Sequence, residues 1–255
     1  MAAGMTRVWT AALCIIGDEI LSGRTQDKNV AQVATWLNDQ GIRLAEVRVV
    51  PDDQARIVEA VNALRERYDY LFTTGGIGPT HDDITVDAVA QAIGVEVIVH
   101  PAARKILEDY YRDRPGGLTE ARLRMARFPK GADLIANPTS GAPGINIGNV
   151  YILAGVPHIA ASMLEALTGK LEGGRPMVSL TVGARAPESD VADLLRETEA
   201  AHPGVAIGSY PFFKDGRYGA NFVIRSDDEE LAQATADDLC TRLGTAGYDP
   251  VVGGI

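Results

Sequence analysis

The chain of 255 residues is long enough to bury one large core or two smaller ones, and with 46% hydrophobic and 23% charged residues it has the composition of a folded globular protein. Its formal net charge of −10 argues against nucleic acid as a partner, because neutralising a phosphate backbone needs a surplus of Lys and Arg. No stretch of about 18 apolar residues could cross a bilayer, and the start lacks a signal peptide's basic and apolar regions, so a cytoplasmic protein with no membrane partner is expected.

The continuous apolar run from Thr10 to Ile16 reads as a strand buried on both faces, stopping at Gly17-Asp18-Glu19. Val30, Val33, Ala34 and Leu37 recur at helical spacing before Gly41. A second strand over Ile42 to Val50 ends at Pro51-Asp52-Asp53, and Ile57, Val58, Val61 and Leu64 then mark a helix that Asp52 or Asp53 can cap. Tyr70 to Thr74 is a third strand, running into Gly75-Gly76-Ile77-Gly78-Pro79-Thr80, with a helix from Asp82 or Asp83 to about Ile93. This alternation predicts an α/β fold with a doubly wound, mostly parallel sheet. Val95 to Val99 adds a short strand, and residues 101 to 127 carry two helical patterns broken at Pro115-Gly116-Gly117. A glycine- and proline-rich stretch from Asn137 to Gly144 precedes a last core strand, Val150 to Leu153, which turns at Gly155-Val156-Pro157 into a helix ending near Gly169.

A linker over Leu171 to Pro176 separates a first domain, residues 8–170, from a second over 176–250. The second reads as a small α+β unit of order β-α-β-β-α, with Asp215-Gly216 as the hairpin turn between its middle strands. Cys14 and Cys240 have no metal-ligand spacing, which fits a reducing compartment.

In an open parallel sheet ligands bind beyond the carboxyl ends of the strands, and those ends carry the unusual residues here: Gly17, Asp18 and Glu19; Asp52; the run from Thr74 to Asp83; and Gly155 with Pro157. Gly75, Gly76 and Gly78 let backbone amides approach an anion, and the helix that follows adds a favourable dipole. The run is neither a Walker loop nor a dinucleotide fingerprint. Asp82 and Asp83 beside it, with Asp52 and Asp53 across the sheet edge, would crowd a phosphate with negative charge unless a magnesium ion or other divalent cation intervened. Alternatively, each aspartate merely caps a helix, worth roughly 1 kcal/mol. His81 could donate to a phosphate. His100, His158 and His202 have no constellation around them, and Tyr110 and Tyr111 read as a partly exposed helix face rather than a lid over a ring.

Gly17-Asp18-Glu19-Ile20-Leu21, the run Gly75-Gly76-Ile77-Gly78-Pro79-Thr80-His81-Asp82-Asp83-Ile84-Thr85 and Asn137 followed by Gly141-Ala142-Pro143-Gly144 together resemble the molybdopterin-binding domain of CinA-like competence/damage-inducible proteins, over about residues 8–170. The resemblance implies a MogA/MoaB-like fold, as in molybdenum cofactor biosynthesis. It also implies binding of molybdopterin or an adenine nucleotide as a phosphorylated small-molecule ligand, and assembly as a homo-oligomer, dimer or trimer. Asp52 and Asp83 look like the aspartates with catalytic or metal-binding roles in the MogA branch. Thr74, Pro79, Thr80, Asp82, Ser140 and Gly141 join the ligand-contacting set. Some members are linked to metal-dependent pyrophosphatase activity on ADP-ribose or FAD.

Two departures matter. The family's Leu-Pro-Gly-Val-Pro-x-Glu stretch reads Leu153-Ala154-Gly155-Val156-Pro157-His158-Ile159, losing a proline and an acid, and at 255 residues the chain is expected to lack the deamidase activity of longer members. Residues 176–250 resemble the small KH-type middle domain of those proteins. RNA binding does not follow, because Asp227, Asp228, Glu229, Glu230, Asp237 and Asp238 would repel a phosphate backbone and no basic GxxG loop is present. Two readings of the first domain result: a metal-dependent nucleotide pyrophosphatase, or a non-catalytic ligand-binding module.

Overall fold

The computed structural model describes residues 7–255. The chain divides into two units, one ending at Gly174 and the other running from Arg175 to Ile255.

The first unit is built on three strand–helix repeats: β1 (Trp9–Ile16) with the short α1 (Asp18–Leu21) and α2 (Asn29–Asp39), β2 (Ile42–Val50) with α3 (Gln54–Arg67), and β3 (Tyr70–Thr74) with α4 (Thr85–Ile93). An excursion follows, comprising β4 (Val97–Val99), α5 (Pro101–Tyr111), α6 (Glu120–Leu123) and β5 (Arg127–Pro129). The chain returns through β6 (Asp133–Ile135), β7 (Gly144–Ile147) and β8 (Val150–Leu153) to α7 (Pro157–Glu165). The main sheet has the order β2-β1-β3-β8-β7-β6; β2, β1, β3 and β8 are mutually parallel, and β7 is antiparallel to both its neighbours.

Strand periodicity explains why β1 is apolar throughout. Ala11, Leu13 and Ile15 pack with Val33 and Leu37 of α2 and Ala160 and Leu164 of α7, whereas Ala12, Cys14 and Ile16 pack with Ile57 and Leu64 of α3 and Val89 of α4. Both faces of the strand are therefore core. Phe72, fully buried at the centre, stacks on Tyr151 at 5.1 Å and meets Trp36 edge-on at 5.9 Å. Burying a side chain of this kind stabilises the fold by roughly 1.5–3 kcal/mol. Both cysteines are free, and burial pushes the Cys14 thiol up to about 12, so it packs as an inert apolar group.

Three sequence expectations are corrected here. The strand around Val97 does not join the main sheet; it pairs with β5 in a separate two-stranded ribbon. The segment before Val150 supplies β6 and β7. And α4 begins at Thr85 with Ile84 as its N-cap, so neither Asp82 nor Asp83 caps it. Of the two aspartates after β2, Asp53 is the cap, accepting from Arg56 N at 3.0 Å, which leaves Asp52 free for another role.

The second unit is an antiparallel sheet of order β10-β11-β9-β12. Its strands are β9 (Val178–Ala184), β10 (Ala206–Lys214), β11 (Arg217–Ser226) and β12 (Val251–Val252). The helices α8 (Glu188–Ala201) and α9 (Glu229–Thr245) contribute Val191, Ala232, Ala236 and Leu239 to a core with Val182, Phe222 and Ile224. Asp215 and Gly216, at φ 54° and 72°, make the two-residue hairpin turn between β10 and β11. Among the described residues no helix is long and apolar enough to cross a membrane.

Candidate ligand cleft

The strand order of the first unit reverses direction at β1: β2 lies on one side and β3 on the other, and the helices that follow β1 and β3 pack on opposite faces of the sheet. A cleft of about 620 Å³ opens there. Hydrogen bonds tie its rim together: Gly17 N donates to Val50 O at 3.1 Å, Asp18 N to Asp52 Oδ2 at 3.0 Å, and Gly75 N to Leu153 O at 3.3 Å.

The glycine turn is shaped by Thr85. Its Oγ donates to Gly75 O at 2.9 Å and its N to Gly76 O at 3.1 Å, which engages two carbonyls of the turn. The amides of Gly76, Ile77 and Gly78 have no acceptor among the described residues, and all three residues border the cleft. At Gly75 and Gly76 side chains are excluded by contact as well as conformation. Gly75 has φ +101° and a Cβ there would stand 2.1 Å from Ile16 O; a Cβ on Gly76, at φ +66°, would stand 2.2 Å from Thr85 Oγ1. Asp83 is fixed by Thr80, which donates to Oδ2 from its N at 2.7 Å and its Oγ1 at 2.5 Å.

The cleft gathers most of the residues expected from sequence: Gly17, Glu19, Asp52, Gly75, Gly76, Gly78, Pro79, Asp82, Asp83, Ser140, Gly155 and Pro157 all border it. The others stand back. Asp18 contributes its amide to Asp52, and Thr80 acts through Asp83. His81 is almost fully solvent-exposed, its nearest charged neighbour Asp82 at 3.9 Å, so the structure does not bring it to the cleft. Gly141 packs beneath Tyr110, whose ring a Cβ would meet at 2.5 Å. Thr74 borders an adjoining recess of about 60 Å³ together with Glu19, Asn29 and Gly155. Its buried hydroxyl has no partner, and the same is true of Thr73. An unpaired buried hydroxyl costs free energy, so Thr74 is a polar atom ready for a ligand group or a bridging water.

Sequence reasoning missed several bordering residues. Tyr111 reaches the cleft, and Met125, Ile159 and Met163 give it apolar wall. The buried Asn137 organises the Ser140 loop: its amide donates to Ser140 Oγ at 2.6 Å and Ala142 O at 2.7 Å, and its Oδ1 accepts from Thr139 N and Ser140 N. The motif that includes Asn137 was legible; its role as a loop clamp was not.

The charged side chains on the cleft wall are Glu19, Asp52, Asp82 and Asp83, all acidic. Burial, reinforced by Asp18, Glu19 and Asp82, raises the Asp52 carboxyl above its ordinary range despite the Asp18 amide. Hard oxygen donors in an excess of negative charge suit a divalent cation. Among the described residues, however, no cluster of three or more His, Cys, Asp or Glu is arranged as a metal site, so ligand phosphate and water oxygens would have to complete the coordination. In metal-free protein a raised carboxyl costs stability above its folded pKa, and the cost disappears once pH falls below the unfolded value. Asp52→Asn keeps an acceptor for Asp18 N and removes that cost. Metal-free Asp52→Asn protein is therefore expected to melt a few degrees above wild type at neutral pH, the gap closing as pH falls through the carboxylate range; a lower melting point at neutral pH would contradict this electrostatic account.

Residues 12–172, which contain the whole cleft, match the model for a probable molybdopterin binding domain, and residues 176–251 match that for the middle domain of FAD synthase. The chain belongs to the CinA-like family that carries this molybdopterin-binding domain. A Pyrobaculum arsenaticum protein is 34% identical over 242 residues, covering 89% of this chain and 91% of its own. A CinA-like protein of Desulfosudis oleivorans is 33% identical over 244 residues, covering 90% of this chain but 58% of its own length. The crystal structure of the protein CinA from Thermoplasma acidophilum superposes with a TM-score of 0.59 at 34% identity, covering 64% of this chain and 98% of that one. The matched residues 12–172 include every turn that builds the cleft, from Gly17 to Pro157.

Proposed function

We propose that the first unit binds a phosphorylated ligand of the molybdopterin or adenine-nucleotide class together with magnesium or another divalent cation, and hydrolyses the pyrophosphate of a dinucleotide such as ADP-ribose or FAD. The observation that carries this reading is one cleft holding three uncommitted backbone amides, of Gly76, Ile77 and Gly78, together with the carboxylates of Asp52 and Asp83. The amides bind and orient phosphate oxygens, aided by the N-terminal end of α4. Asp52 and Asp83 would hold the cation, which when bound supplies Lewis-acid polarisation of a phosphoryl oxygen. Thr80 keeps the Asp83 carboxylate in place, and Tyr111, Met125 and Met163 offer an apolar wall to a purine, flavin or pterin ring. The family match of residues 176–251 supports a flavin or adenine dinucleotide as the substrate class.

A non-catalytic module is the second reading, and Ile159 favours it: this apolar side chain borders the cleft at the position where the family pattern has an acid. The two readings separate on turnover. Purified protein incubated with ADP-ribose or FAD is expected to release AMP with magnesium and not with chelator; tight binding without release under saturating ligand and metal would establish the module instead.

A further inference from the structure

Behind the glycine turn the cleft adjoins a small cavity of about 10 Å³, and the two share Ile77, Gly78, Asp83 and Met125 as walls. Two arginines stand at this cavity in different states. Arg127 is committed, donating from Nη1 and Nη2 to the two carboxylate oxygens of Asp87 at 3.0 and 2.5 Å. Arg124 forms no ion pair with any described residue, and its Nε is buried with no hydrogen-bond partner. A buried guanidinium donor without an acceptor is costly, so it is kept where an acceptor arrives from outside the chain.

The cleft wall itself offers an anion no cationic side chain among the described residues, only Glu19, Asp52, Asp82 and Asp83. Arg124 is the adjacent positive charge. It lies in the one-turn segment Arg124–Ala126, and its neighbour Met125 borders both spaces. The cavity is too small to admit a ligand, so contact would occur where it meets the cleft, at Gly78. A side chain there would close the gap, because a Cβ would stand 2.6 Å from Asp83 Oδ2.

We propose that Arg124 is the cationic contact for the ligand's phosphate, reaching it at the Gly78 edge of the cleft. This rests on the phosphate-binding reading given above. The planar fork of the guanidinium matches two phosphate oxygens at once, which a lysine cannot reproduce. Arg124 is thus a specificity-determining residue that selects phosphorylated over unphosphorylated nucleosides.

The test is equilibrium binding of α,β-methylene ADP, whose bridge resists hydrolysis, and of adenosine, each with magnesium, to wild type, Arg124→Gln and Arg124→Lys. Arg124→Gln is expected to bind α,β-methylene ADP roughly tenfold or more weakly, with adenosine binding unchanged and a shallower dependence of affinity on salt. Arg124→Lys recovers part of the loss, and because it keeps the charge and stem it still reports if the glutamine variant fails to fold. Equal affinity of all three proteins for α,β-methylene ADP would overturn the role of Arg124 and leave the cleft reading standing, as would an equal loss for both compounds. Wild type without preference for the phosphorylated compound would overturn the cleft reading and Arg124 with it.

Discussion

Asp83→Ala is expected to lower metal-dependent AMP release from ADP-ribose by roughly a hundredfold or more, equivalent to about 2.7 kcal/mol of lost transition-state stabilisation. Two roles of Asp83 must be separated, since the same carboxylate also holds Thr80 through Oδ2. Asp83→Asn keeps an oxygen that can accept from Thr80 N but loses the anionic ligand. It should therefore be nearly as impaired as Asp83→Ala. Thr80→Val keeps the carboxylate and removes only one donor, and should lose far less. The comparison is made on kcat/KM at saturating magnesium; a Thr80→Val loss as large as that of Asp83→Ala would show that Asp83 only shapes the turn.

Gly75→Ala should be the most damaging single-methyl addition to the cleft. The residue has φ +101°, which strains any other side chain, and its added Cβ would stand 2.1 Å from the carbonyl oxygen of Ile16. That oxygen ends β1 and cannot move without disturbing the sheet edge on which the cleft is built. Strain and overpacking together predict a loss of roughly 2–4 kcal/mol, seen as a fall in melting temperature of roughly 5–15 °C. Phosphate binding should weaken as well, because the amides of Gly76 to Gly78 follow directly in the chain. Gly23 is the control: its φ is +71° but nothing lies within 4 Å of the added Cβ, so Gly23→Ala should cost only the conformational part. Equal melting temperatures for the two variants would contradict the close approach of the turns after β1 and β3.

How legible the fold was follows from where local signals were strong. β1 was readable because both its faces are covered by helices, which forces an unbroken apolar run, and the Asp215-Gly216 turn because only a few dipeptides accept two positive φ angles. β6 and β7 were hidden. They are three and four residues long, and one lies beside the glycine- and proline-rich segment ending at Gly144, whose composition signals a loop. The placement of Val97 to Val99 outside the main sheet depends on pairing with Arg127 to Pro129, a contact about thirty residues away that no local pattern encodes.

The candidate site shows the same division. Its glycines and aspartates lie at strand ends, so topology alone predicted that they would converge. The roles of adjacent residues were not readable: Asp53 caps α3 while Asp52 accepts from the next turn, and the helix after β3 starts two residues beyond Asp83 because Thr85 binds back to the glycine carbonyls. From sequence Tyr111 reads as part of a partly exposed helix face. It reaches the cleft at the end of α5, where Tyr110 beside it packs against the loop of Gly141, a tertiary contact between segments far apart in the chain.

The central claim, that the cleft joins phosphate to a divalent cation at Asp52 and Asp83, is tested most directly by calorimetric titration of the hydrolysis-resistant α,β-methylene ADP into wild type and the Asp52→Asn/Asp83→Asn double variant, with magnesium and with chelator. Magnesium is expected to tighten binding to wild type severalfold and to have no effect on the double variant; an equal effect of magnesium on both proteins, or none on wild type, would contradict it.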